Sequence, residues 1–94
     1  AASASAGGVG LSVPVPNPTA GRSELVLTVD VAQRVRVSAY DALGREVAVL
    51  HDGPLAAGVA HRVVLEGEGW PPGLYAVRSV GAGASSVRTV TIRR

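Results

Sequence analysis

The 94-residue chain contains no cysteine and only three aromatic residues, Tyr40, Trp70 and Tyr75. Without cysteine, neither disulfides nor cysteine-bound metal can hold so short a chain together, so an apolar core must do it. A domain of this size hides only roughly 60–68% of the surface its unfolded chain exposes, and the 47% apolar fraction, mostly Val, Leu and Ala, supplies the side chains. Three rings are too few for the row of stacked aromatics that grips single-stranded nucleic acid. An excess of one charge is lacking too. Nine basic residues, all arginine, face seven acids and leave a net charge of +2. The arginines are spread out, paired only at Arg34/Arg36 and Arg93/Arg94, which argues for solvated strand faces rather than a phosphate-tracking patch. No apolar run approaches the length of a membrane-spanning helix, and the start lacks the basic and hydrophobic regions of a secretory signal. If the protein is exported, its signal peptide is expected upstream of Ala1.

Valine leads the apolar set, and its branched Cβ favours a half-buried pleated surface over a helix. The expected class is therefore all-β. Residues 1–10, AASASAGGVG, are small and featureless, as in a flexible linker, and the folded domain is expected over residues 11–94. Leu11 to Pro18 carries prolines at 14, 16 and 18, which cannot donate to a ladder and confine this stretch to an edge strand closed by a fixed turn. Proline at the centre of Asn17-Pro18-Thr19 rules out a glycan acceptor.

Glu24 to Val29 reads as a strand with Leu25, Leu27 and Val29 on one face. Arg34 to Tyr40 alternates most cleanly, with Val35, Val37 and Ala39 inward and Arg34, Arg36 and Ser38 toward water. The Asp41-Ala-Leu-Gly44-Arg45 loop then turns the chain into a return strand, Glu46 to Leu50, forming a hairpin. His51 to Gly58 is expected to be a loop, followed by strands over Ala60–Leu65, Leu74–Val80 and Ser86–Ile92. Seven short strands with turn signals between them, and nothing long enough for a parallel crossover, point to an antiparallel sandwich.

Residues with chemistry to offer are scarce. His51 and His61 are the two histidines, and both read as surface polar residues rather than as a catalytic base or a metal pair. Glu66 and Glu68 share a glycine-rich loop in which solvation explains them. Gly67 to Gly73 lacks the Lys-Ser/Thr ending of a phosphate loop and reads as a turn. Trp70 could serve as a sugar-stacking platform, but burying so large a ring matters greatly in a small domain, and a lid over one end of the core is the better reading. No catalytic, cofactor or metal site is expected.

Four signatures then recur in a known order. Val15-Pro-Asn-Pro-Thr19 precedes a Leu/Val strand, and Val37 to Val47 carries Tyr40-Asp41-x-x-Gly44-Arg45 between two strands. Gly58 to Leu65 holds a Gly-x-x-His strand, and Pro72-Gly-Leu-Tyr-Ala-Val-Arg78 leads to a final Val/Thr strand ending in arginine. Over residues 11–94 the chain resembles the C-terminal sorting domain (type A) of cargo proteins of the type IX secretion system of Bacteroidetes and their relatives. It departs from the family pattern in having Thr19 where an aromatic often follows the turn and arginine in place of the usual terminal lysines.

The resemblance implies an immunoglobulin-like sandwich, covalently preceded by a cargo domain and recognised by the outer-membrane secretion machinery. It also implies removal by a sortase-like peptidase, after which the cargo is released or attached at the cell surface. Pro16, Asn17, Pro18, Tyr40, Asp41, Gly44, Arg45, Gly73 and Tyr75 are the motif residues, mainly shaping turns. Arg93, Arg94 and the edge of the last strand are the expected recognition elements, the edge by strand addition. No nucleic acid and no small-molecule substrate are expected as partners. Two other readings share these features: an immunoglobulin-like adhesion, carbohydrate-binding or stalk module of a secreted enzyme, and the related domain of flagellar hook-capping proteins.

Overall fold

The computed structural model describes residues 8–93. These form seven strands: β1 (Val9–Leu11), β2 (Arg22–Val29), β3 (Gln33–Tyr40), β4 (Glu46–Leu55), β5 (His61–Glu66), β6 (Gly73–Val80) and β7 (Ser85–Ile92). Two antiparallel sheets result, one of order β1-β2-β5 and one of order β4-β3-β6-β7. The chain changes sheet after β2, β4 and β5, so that β5 pairs with β2 and β6 with β3. This is an immunoglobulin-like sandwich, in which each sheet hides one alternating face against the other.

The alternation read from the sequence builds the core. Leu25, Leu27 and Val29 from β2 meet Val35, Val37 and Ala39 from β3, with Val63 and Leu65 from β5 and Tyr75, Val77, Val90 and Ile92 from β6 and β7, all buried. Burying each such Val or Leu contributes about 1.5–3 kcal/mol, which in the absence of disulfides is the main favourable term. Tyr75, near the start of β6, donates its hydroxyl to the Pro71 carbonyl at 2.6 Å. A tyrosine tied back four residues in this way is the corner device of immunoglobulin-like sandwiches.

Four features differ from the sequence reading. The first strand lies at Val9–Leu11, so it takes in Val9 and Gly10 of the stretch assigned to a linker; the proline segment adds only isolated bridges, Val15 to Glu24 and Thr19 to Ile92. Missing N–H groups at Pro14, Pro16 and Pro18 are the reason it cannot ladder further. Instead of looping from His51, β4 runs through to Leu55. It is an edge strand, where Pro54 is tolerated, and register shifts opposite Val37/Ser38 and Ala39/Tyr40 scramble the simple alternation. Ser38, expected to face water, is 3% exposed. Its side chain is short, and its neighbours in register are Val49 on β4 and Arg78 on β6.

The fourth difference concerns β7. Its C-terminal half does not present a free edge, because the proline segment lies along it. Thr19 N–H donates to the Thr91 carbonyl at 2.9 Å, Arg93 N–H to the Thr19 carbonyl at 2.8 Å, and Thr91 N–H to Asn17 Oδ1 at 2.9 Å. Farther up, Ser86 Oγ and Arg88 Nε donate to the Val9 and Leu11 carbonyls, tying β7 to β1 in the other sheet.

Candidate functional site

Strand direction decides where the motif residues end up. The Asp41 turn leaves β3 and Gly73 opens β6 at the same end of the four-stranded sheet, since Tyr40 pairs with Ala76 and Gly73 with Ile92. Pairing of Thr19 with Ile92 brings the proline segment to that end, and Gly67 N–H donates to the Gly21 carbonyl at 2.7 Å to bring the Trp70 loop there. Thus Pro16, Asn17, Pro18, Tyr40, Asp41, Gly44, Arg45, Gly73, Tyr75 and Arg93, scattered over the sequence, gather at one pole of the sandwich. Arg94 lies outside the described residues.

Each turn there has a local cause. Asp41 Oδ1 accepts the N–H groups of Leu43 and Arg45 at 2.9 and 3.0 Å, and Oδ2 pairs with Arg45 Nε at 2.8 Å. The N–H bond from Arg45, reinforced by its guanidinium and by the Leu43 N–H, holds the Asp41 carboxyl below its ordinary value. Gly44 closes the loop at φ +83°, a conformation costly for any residue with a Cβ. Asn17 uses both ends of its amide on β7, accepting from Thr91 N–H and donating to the Thr89 carbonyl at 3.3 Å. Its side chain stands in for a strand, and the peptide bonds before Pro16 and Pro18 are both cis.

Between the Asp41 turn and the Trp70 loop runs an open groove of about 340 Å³, lined by Leu43, Val47, Trp70, Pro71, Leu74 and Tyr75 among others, with Asp41 and Arg45 at its rim. Trp70 is half-buried, and its ring centre lies 5.1 Å from that of Tyr75. It covers the end of the core, as the sequence reading favoured, against Ile92 and above Gly67; a Cβ on Gly67 would come within 2.7 Å of Ile92 and 2.9 Å of Trp70. Leu43 is 78% exposed and Leu74 53% exposed, apolar groups that the core does not use. Nothing in the alternation of the sequence announces this groove. The Trp70-Pro-Pro-Gly-Leu-Tyr75 run was its one visible trace.

Arg93 is exposed, and its backbone is fixed by Thr19. Among the described residues no three His, Cys, Asp or Glu side chains come together as a metal cluster, and no helix is long and apolar enough to cross a membrane. No family model matches the chain, and comparison with curated proteins finds no match either.

Proposed function

We propose that the chain is a non-catalytic sorting module that directs a covalently attached cargo through the type IX secretion system and is then cleaved, leaving the cargo released or attached at the cell surface. The observation that carries this reading is the convergence on one pole of three of the four signatures, Pro16-Asn17-Pro18, Tyr40-Asp41-x-x-Gly44-Arg45 and Gly73-Leu-Tyr75; the Gly58–His61 signature lies at the other end, where Gly58 N–H donates to the Val29 carbonyl. Residues that only shaped turns would be scattered wherever turns occur, whereas these also frame a groove with exposed apolar side chains and a charged rim. Exposed Leu43 and Leu74 beside the Asp41–Arg45 pair offer a receptor apolar area and a directional polar contact together. Recognition by strand addition at the end of β7 is not part of the proposal, since that edge is already paired.

The test joins the chain to a periplasmic reporter in a type IX-competent host. Reporter outside the outer membrane is the expected result, and a correctly folded fusion held in the periplasm contradicts the proposal. The groove also favours a second reading, an adhesion module whose Trp70 and Tyr75 help bind a ligand. Such a module would bind without promoting export.

A further inference from the structure

The two histidines lie ten positions apart on strands of different sheets, β4 and β5, yet their ring centres are 4.5 Å apart with an interplanar angle of 56°. Both are partly exposed, so an ion in solution can reach them. We propose that His51 and His61 together form a two-imidazole site for a borderline transition-metal ion such as Zn²⁺ or Ni²⁺, completed by water, which clamps the two sheets along the β4/β5 side.

Three observations carry this. Ring nitrogens at about 2.0–2.1 Å from one zinc ion, at nitrogen–metal–nitrogen angles of about 90–110°, place imidazole centres about 4.5–5 Å apart, so the observed pair needs little movement. His51 Nε2 lies 3.3 Å from the Gly53 carbonyl oxygen. A ring N–H donated there leaves Nδ1 with the lone pair, which is how a backbone carbonyl orients a metal-ligating imidazole. The nearest charges in sequence are already engaged: Asp52 pairs with Arg34 at 3.4 Å, and Arg62 with Glu24 at 3.4 Å. Both of these arginines are thus paired with carboxylates, and imidazole is the ligand that suits zinc and nickel.

The consequence is mechanical. β4 and β5 belong to separate sheets and share no ladder, so a bridging ion ties together a side of the sandwich that backbone bonding leaves open. An ion that binds only the folded state raises its melting temperature by mass action.

The experiment titrates ZnCl₂ into the tag-free chain by calorimetry, alongside His51→Gln and His61→Gln. One saturable site per chain is expected, with roughly tenfold or greater weakening in either variant, while their metal-free melting curves match the parent. Should a variant fail to fold, paramagnetic Ni²⁺ added to the parent chain must broaden the His51 and His61 ring resonances before any others. No saturable binding at ion concentrations of order 100 µM, or binding unchanged in both folded variants, overturns the proposal, as does broadening centred on carboxylates.

Discussion

Removing one oxygen, by Tyr75→Phe, deletes the hydrogen bond to the Pro71 carbonyl and leaves the ring beside Trp70. A part-buried bond of this kind contributes about 1 kcal/mol net, so the melting temperature is expected to fall by about 4–8 °C. Gly73→Ala should cost about 1–3 kcal/mol because its φ of +152° is one that residues with a Cβ rarely adopt. Gly69→Ala is the control, having open space around it, and should melt with the parent. Asp41 gives a pH-dependent case. Its carboxyl is held below the ordinary value of 3.8, so the folded state favours the ionised form. The stabilisation is complete well above 3.8 and disappears as acid protonates the folded carboxylate. Melting curves across the acid range should therefore converge for the parent and Asp41→Asn, while at neutral pH the parent melts higher. A gap that widens in acid contradicts this.

Among elements, the edge of β7 distinguishes pattern from architecture. The Val/Thr alternation placed the strand correctly, but the sequence carried no sign that Asn17, more than seventy residues away, would satisfy the Thr91 N–H. Likewise the β3 core face was legible because Val35, Val37 and Ala39 keep strict period two, whereas β4 was cut short at Leu50 because two register shifts and Pro54 break the period that identifies a strand. The gathering of the motif residues depends on which strands pair, a long-range property, and the groove depends on exposed Leu43 and Leu74, which look like ordinary core residues in sequence. Asn17→Ala tests the edge assignment directly. It should speed amide exchange at Thr91 markedly while leaving Val77, in the core, protected; unchanged exchange at Thr91 contradicts the pairing.

At the scale of the molecule, the sandwich separates stability from presentation. Its core is mainly Val and Leu, most of its charged pairs are exposed on both sides and contribute little, and its unused apolar side chains include those at the motif pole. Replacing Arg93 and Arg94 together by Ala retains the backbone bond from residue 93 to Thr19, so stability should change by about 0.5 kcal/mol or less. If the basic end is read by a receptor, export of a fused reporter should fall; normal export would locate recognition elsewhere on the pole. The most direct measurement is the secreted fraction of that reporter fusion in a type IX-competent host, compared for Leu43→Glu, Leu74→Glu and Val31→Glu, three substitutions at exposed positions. Val31 lies in the β2–β3 turn at the opposite end. Reading of the motif pole predicts that the two leucine variants fold normally but accumulate in the periplasm while Val31→Glu is exported like the parent, and equal export of all three would contradict it.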